Sequence, residues 1–239
     1  MSSQAKRHTP HLDAGTRAKL VDAAGQVFAE SGYQGATVRE ICARAGVNVA
    51  LVNYYFGDKL ELYAEVLRES IGSMKDEIKA LESGLPPEEA LRDLIRATLQ
   101  RIFRAGRPGW HYQIMVHEIK QPTPAMENVI NETMKPLYKR FCGLIGTVLA
   151  LSPDDDKVKL CTHSIIAQVF HYAHARYMNS ILWAGLEMTP DRVIQVANHI
   201  ADFSLAYLRQ EAPAAYLRQE APPQPRGRAR VRNIARKNI

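Results

Sequence analysis

The sequence predicts an all-α protein: an N-terminal three-helix helix-turn-helix domain joined by a bridging helix to a C-terminal helical bundle, about nine helices in all. Three observations lead there. Apolar residues recur every three to four positions along most of the chain, and no segment alternates with a convincing period of two. Prolines and glycines fall between those periodic segments rather than inside them. Between Gly35 and Tyr63 a helix start, an abrupt glycine stop and a second short helix follow one another directly.

The first helix is expected from about Thr16 to Ser31, with Leu20, Ala24, Val27 and Phe28 as its apolar stripe and Gly32 placed to end it in the left-handed conformation. Thr37, followed three residues later by Glu40, is a capping box that opens a second helix to Ala45, with Ile41 and Ala45 on one face. Gly46 can take the positive φ of a sharp turn, and Asn48 can cap a third helix reaching Phe56. Two helices joined by so short a glycine turn form a helix-turn-helix. A fourth helix is expected to run unbroken from Asp58 to about Leu81 and to bridge the two halves. Pro86 and Pro87 open a fifth, "PEEALRDLIRATLQRIF", and the loop "AGRPG" precedes a sixth, "WHYQIMVHEIKQ". The seventh covers Ala125 to Leu151, kinked near Thr133 or Met134 by Pro136. "SPDDD" reads as the start of an eighth, with Ser152 as cap, Pro153 at the first position and acids facing the positive end of the dipole. It is expected to continue to Trp183 and to stop at Gly185. "TPDRVIQVANHIADFSLAYLRQ" makes the ninth.

With 46% hydrophobic and 23% charged residues, the chain has the apolar material for a buried core. Its net charge of +6 is carried by Arg226, Arg228, Arg230, Arg232, Arg236 and Lys237, in a stretch without acids, so residues 1–220 are formally neutral. That Pro/Arg-rich end has little to bury and reads as a disordered basic tail. It follows a tandem duplication of "YLRQEAP" beginning at Tyr207 and Tyr216. Cys42, Cys142 and Cys161 are far apart, form no C-x-x-C pair and sit among apolar residues, as buried free thiols in a reducing compartment would. The polar first fifteen residues hold no apolar signal segment, and the most apolar run, "FCGLIGTVLAL", is about half the ~20 residues a membrane span needs. A soluble, cytoplasmic protein with no membrane partner is expected.

The third helix points to function. Val52 and Phe56 stand four apart and face the core with Val47, whereas Val49 with Asn53 and Ala50 with Tyr54 point elsewhere. An ordinary surface helix carries Lys and Glu on that face. This one carries small residues, an amide and phenols, with no acid between Val47 and Gly57. Such a helix can approach a duplex closely: Asn pairs with adenine in the major groove, and small apolar groups meet thymine methyls. Lys59 and the amides opening the fourth helix are placed for phosphates.

Here the pattern resembles the TetR-type bacterial transcriptional regulators, whose DNA-binding domain reads roughly "T-x-x-x-I-A-x-x-A-G-V-S-x-G-x-L-Y-x-H-F-x-x-K-x-x-L". Thr37, Ile41, Ala45-Gly46-Val47, Phe56, Lys59 and Leu62 stand in register. The chain departs from that pattern at Cys42, Asn48, Ala50, Val52, Asn53 and Tyr55, where the family has Ala, Ser, Gly, Leu, Tyr and His. "VNVALVNYYFGDKLELY" is most similar to the subgroup with a CerR/CecR-type C-terminal domain. The resemblance covers about Thr16 to Ile71, with "QVFHYAHARYMNSIL" the closest local likeness beyond it. It implies that Thr37, Tyr54, Tyr55 and Lys59 hold phosphates while Val49, Ala50 and Asn53 face base edges; Asn48 is expected with them among the DNA-binding residues. The departures at 50 and 53 mean that no operator sequence transfers.

The bundle after this domain is far larger than DNA reading requires, which leaves subunit pairing and sensing. Helix-turn-helix proteins commonly bind as two-fold dimers that reach successive major grooves about 34 Å apart. The eighth and ninth helices are the candidate homodimer interface, with Ile165, Val169, Tyr172, Arg176, Ile181 and Ile200 as candidate residues; the alternative for each is one subunit's own core. Phe103, Trp110, His111, Met115, Tyr138, Phe141, Phe170 and His174 are candidates to line an aromatic cavity for a planar organic effector, and again ordinary core packing is the alternative. His111, His117, His163, His171 and His174 raise a metal reading, but no nearby acid or Cys completes a ligand set. No nucleophile motif, phosphate loop or dinucleotide fingerprint is present, so neither an enzyme nor a cofactor is expected. The expected organisation is a flexible arm (1–15), a DNA-binding domain (16–72), a ligand-binding and dimerisation bundle (73–210) and the tail (211–239). The expected function is a repressor released from a palindromic double-stranded DNA operator by a small organic molecule. The alternatives are an effector-independent architectural or partner-recruiting DNA-binding protein, and a metal-responsive repressor using the bundle histidines.

Overall fold

The computed structural model describes residues 14–214 apart from residues 73, 105, 107 and 108 and the side chain of Arg176. The expected arm, the basic tail and most of the tandem repeat therefore lie outside the described residues. Among those described there is no strand, and every regular element is helical.

Local chemistry sets the N-terminal elements. Helix α1 (Ala14–Gly35) is interrupted at Gly32, which takes φ 70° as its position predicts. Thr37 caps α2 (Val38–Ala45), its Oγ1 accepting the Glu40 amide at 3.2 Å. At the other end Gly46 sits at φ 68°, ψ 33°; its amide donates to the Ala43 carbonyl and the Val47 amide to the Cys42 carbonyl. That pair of bonds closes a Schellman motif, which satisfies orphan carbonyls and turns the chain in the smallest space. Asn48 then caps the next turn by accepting the Ala50 amide at 2.8 Å, and α3 (Ala50–Phe56) follows. Asp58 caps α4 (Lys59–Ile71) by accepting the Glu61 amide at 2.9 Å.

The expected unbroken fourth helix is not observed. It ends at Ile71, Gly72 takes φ 77°, and a separate α5 (Lys75–Leu81) begins beyond. A glycine inside a helix costs only about 1 kcal/mol, so the local sequence allowed either outcome. The break is fixed from outside by Arg101, whose Nη1 donates to the Ile71 carbonyl and whose Nε donates to Glu77 on α5.

The bundle continues with α6 (Pro87–Ile102), α7 (Trp110–Lys120), α8 (Pro124–Val129) and α9 (Lys135–Leu149). Between α8 and α9 lies a π turn, Ile130–Met134, immediately before Pro136. The kink expected near Thr133 or Met134 thus takes the form of a widened turn that accommodates the ring. Helix α10 (Asp156–His174) is capped by Asp155, which accepts the Lys157 amide, rather than by Ser152. The expected eighth helix also divides: after Ala175 the chain resumes as α11 (Arg176–Leu182), before α12 (Pro190–Glu211).

Two cores result. The larger joins α5, α6, α9, α10 and α12 through Leu91, Ile95, Leu99, Ile145, Val158, Ile200 and Leu205. The other gathers Leu20, Phe28, Ile41, Val52, Leu62, Tyr63 and Leu67 of α1–α4 together with Trp110, Ile114, Ala125 and Val129 of α7 and α8. The N-terminal unit is thus welded to the bundle through α7 and α8. At the weld the Tyr63 hydroxyl donates to Glu118 Oε1 at 2.7 Å, and Glu118 also accepts the Thr123 amide and hydroxyl. Across the same seam His117 Nε2 lies 3.0 Å from the Ala29 carbonyl, and Trp110 Nε1 donates to Asp22 at 3.0 Å.

Candidate functional site

The short helix α3 is held by one fully buried residue, Val52, with Leu51, Tyr55 and Phe56 partly buried against the same core. Full burial of a Val is worth about 1.5–3 kcal/mol, and Leu51, Tyr55 and Phe56 packed on the same core add to the anchoring of this short helix. Its opposite face is open: Val49, Ala50, Asn53 and Tyr54 are all exposed. The Tyr54 and Tyr55 rings meet edge to face, centroids 5.2 Å apart, which orients both phenols. Thr37 is exposed at the start of α2 and keeps its hydroxyl proton to donate while its oxygen caps the helix. Asn48 is exposed too, but its side-chain oxygen is committed to the Ala50 amide.

The basic groups around this face differ in availability. Arg44 is tied to Glu30 through two bonds of 2.6 and 2.8 Å, and this partner holds the Glu30 carboxyl below its ordinary range. Lys59 is half-buried with its ammonium 4.5 Å from the centre of the Tyr33 ring, and burial pushes its pKa down. Arg39, which the sequence reading passed over, is exposed on α2 and has no partner among the described residues. Its signal in the sequence was its place two residues beyond the capping Thr37. At the start of α4 the amides of Lys59 and Leu60 have no acceptor within the helix. This region therefore offers an acid-free helix face flanked by a guanidinium, an ammonium, phenols and open amides.

In the bundle, His111, Met115, Phe170 and His174 line a cavity of about 170 Å³, while Tyr138, Phe141 and Phe170 line an apolar one of about 430 Å³. The two share Met74, Arg101, Met134 and Phe170. Ser70 and Ile71 at the end of α4 form part of the smaller cavity's wall. Two expected lining residues lie elsewhere. Phe103 borders a separate hollow with Tyr172 and Met188. Trp110 is packed on α1 in the weld, because Gly25 leaves a bed for its indole. Arg101 was not singled out, yet it stands seven residues after Leu94 and so shares the face that Leu94 and Thr98 turn to the larger cavity.

Among the described residues no three His, Cys, Asp or Glu gather as metal ligands. His171 lies 3.1 Å from Asn179 Oδ1, His163 lies 3.2 Å from the Tyr138 hydroxyl, and His174 rests against the Phe170 carbonyl. The metal-responsive alternative has no ligand set there.

The expected pairing residues need correction. Ile165, Val169 and Ile200 are buried in the subunit's own core, because the core claims the apolar positions of these helices first. Tyr172 is half-buried, Ile181 is exposed, and the side chain of Arg176 lies outside the described residues. The outward faces of the adjacent α10 and α12 instead present Leu160 (69% exposed), Ser164, Ala167 and His171 beside His199, Phe203 (64% exposed) and Tyr207. Further apolar surface continues through Tyr177, Ile181, Leu182 and Trp183. So many large apolar side chains left exposed on these helices make this side of the bundle a candidate interaction face.

A three-helix unit with a small exposed helix, welded to a helical bundle that holds cavities, is a helix-turn-helix domain on a helical body. Comparison with known proteins gives the family. Residues 20–66 match the family model described as bacterial regulatory proteins, tetR family, and residues 87–208 match the C-terminal domain of the HTH-type transcriptional dual regulator CecR. The chain belongs to the TetR family of bacterial regulatory proteins and carries a CecR-type C-terminal domain. It is a DNA-binding transcriptional regulator and not an enzyme. It is 29% identical to CecR of Shigella flexneri over 165 residues, 64% of this chain and 74% of that protein. It is 35% identical to the regulator BetI of Rhizobium meliloti over 85 residues, 35% of this chain and 42% of that protein. In fold it is similar to the regulator FadR of Bacillus subtilis, solved in complex with stearoyl-CoA: TM-score 0.59 and 19% identity, over 79% of this chain and 97% of that one. A putative regulator of Pseudomonas aeruginosa PAO1 gives TM-score 0.59 and 20% identity over 84% and 96% of the two chains. No helix among the described residues is long and apolar enough to cross a membrane.

Proposed function

We propose that this chain is a ligand-responsive repressor that acts in the cytoplasm as a homodimer on a palindromic operator. Asn53, Val49 and Ala50 read base edges, while Thr37, Arg39, Tyr54, Tyr55 and Lys59 hold phosphates. The outward faces of α10 and α12 pair the subunits and set the spacing of the two α3 helices. A small organic molecule enters the cavities among α6, α7, α9 and α10, shifts α4 and releases the DNA. The observation that carries this reading is a shared wall: Ser70 and Ile71 belong to the last turn of α4 and also line a cavity. A ligand there touches the element on which the reading head is mounted. It acts only to the extent that it favours the released geometry over the bound one. The Bacillus subtilis regulator of similar fold was solved in complex with stearoyl-CoA, which supports a protein of this build as a ligand host.

Selection of bound DNA from a random pool at near-physiological salt tests the reading. A palindromic motif is expected, with half-sites about one helical turn apart or a multiple of it. A screen for compounds that dissociate that DNA then tests the response. Absence of any enriched motif would move the architectural alternative ahead.

A further inference from the structure

We propose that the two neighbouring cavities take one ligand with an apolar body and a single anionic head, and that Arg101 captures the head and thereby lets go of α4. The proposal rests on the ligand-responsive reading above. Arg101 stands where the cavities meet, since it lines both. The larger cavity is walled mainly by aliphatic and aromatic side chains, among them Leu94, Ile95, Phe141, Ile166 and Val169. Neither lining contains an Asp or Glu, whereas Arg101, Lys135 and histidines do contribute to them. A buried cation would find no counter-charge in these walls, and an unpaired buried charge is strongly disfavoured. An anion has one.

The guanidinium is already engaged, and the way it is engaged links binding to release. Its side chain is only 13% exposed, with Nε on Glu77 Oε1 and Nη1 on the Ile71 carbonyl. Glu77 is fully buried, and its second oxygen has no hydrogen-bond partner, so Arg101 is the counter-charge its carboxylate depends on. The Ile71 carbonyl belongs to the last residue of α4, just before the break at Gly72. Arg presents five donors in a rigid fork suited to two oxygens of an anion. An incoming head can therefore compete with the neutral carbonyl for Nη1 while Nε stays on Glu77. The buried carboxylate is never left unpaired, which would carry a heavy penalty. What is surrendered is the bond that fixes the C-terminal end of α4. One negative charge is the most the site can take, because Glu77 already balances the guanidinium and Lys135 adds a single further positive charge.

The test is a calorimetric titration of the full chain with decanoate, decanol and decyltrimethylammonium, all below their micelle concentrations and at one ionic strength. These share a body and differ in the head. Decanoate is expected to bind, decanol at least tenfold more weakly, and the ammonium compound not at all. The paired variant Arg101→Met/Glu77→Gln removes both charges together, so no ion is stranded, and it should bind decanoate and decanol equally. Equal binding of decanol and decanoate to the natural protein would overturn the proposal, as would binding of the cation. So would a preference for decanoate that survives in the paired variant. The three-probe comparison on the natural protein decides the matter even if that variant fails to fold. If none of the three binds while a neutral compound dissociates the operator, the anionic head is wrong and the ligand-responsive reading stands. If no compound of any class dissociates the operator, both fall.

Discussion

Gly25→Ala should damage the seam between the reading head and the bundle, although alanine is the better helix former. A Cβ at Gly25 would lie 2.5 Å from Cδ2 of Trp110 and 2.6 Å from both Cε2 and Cε3. That is about 1 Å inside ordinary carbon contact, which begins near 3.5 Å. The indole would have to tilt away, and its bond from Nε1 to Asp22 at 3.0 Å would stretch or break. Replacing an interior glycine gains about 1 kcal/mol of helix propensity, while overpacking costs about 1–3 kcal/mol and a hydrogen bond to a charged group about 1.5–3 kcal/mol. The net expectation is a loss of about 1.5–5 kcal/mol, read by urea unfolding. The control is the same change in a Trp110→Leu background, where the ring is gone; there alanine should be neutral or stabilising by up to about 1 kcal/mol. A neutral or stabilising Gly25→Ala in the natural protein would refute the argument, because the close approach would then not be part of the folded state.

Three further outcomes are expected. Asn53→Ala should relax discrimination at one base pair by about 1–3 kcal/mol, whereas Lys59→Ala should weaken all sequences alike and flatten the salt dependence; competition binding at several salt concentrations separates them, and identical behaviour would overturn the division of roles. Phe203→Glu, on the exposed face of α12, should yield folded monomers by sedimentation, while Ile200→Glu, in the core three residues away, should unfold the chain; a Phe203→Glu protein of unchanged mass in solution would exclude that face as the pairing surface. Tyr63 is held protonated above its ordinary value of 10.0, first by burial and then by its bond to Glu118. The unfolded phenol loses its proton near 10 and the folded one keeps it, so stability falls as pH rises past about 10. Tyr63→Phe should lose about 1.5–3 kcal/mol at neutral pH and show a shallower alkaline decline in urea titrations; an unchanged slope would refute the assignment.

The turn between α2 and α3 was legible because its signals are local. Thr37, Gly46 and Asn48 each act within a few residues and do in the structure what their chemistry predicts, whereas the Glu40 carboxylate stands 3.9 Å from Arg44 instead of returning to the cap amide. The break after Ile71 was not legible, because an isolated glycine is compatible with a continuous helix and the deciding partner, Arg101, lies thirty residues away in sequence. The pairing residues failed for a related reason. Helical periodicity marks Ile165, Val169 and Ile200 as apolar but cannot say whether the surface they seek belongs to the same chain; the core took them. The outward stripe is harder to see, since it mixes Leu160 and Phe203 with Ser164, Ala167 and His199. Most of the aromatic set did converge on the cavities, because His111 with Met115, Tyr138 with Phe141 and Phe170 with His174 are spaced three or four apart on single helices. Trp110 escaped that reasoning, as its place is fixed by a small residue on a different helix.

The core that Leu20, Phe28 and Tyr63 share with Trp110, Ile114 and Val129 bears on how such a protein can be re-engineered. A hybrid sensor is commonly imagined as one head grafted onto another body at the end of α4. In this chain a cut there would slice through a hydrophobic interior rather than beside it. The donor head would meet a foreign α7 and α8 with the wrong knobs in its sockets, and the hybrid would fold poorly or answer its ligand weakly. Grafts that carry α7 and α8 along with the head, with junctions after α4, before Trp110 and in the π turn that follows Val129, would keep the socket and its occupants together.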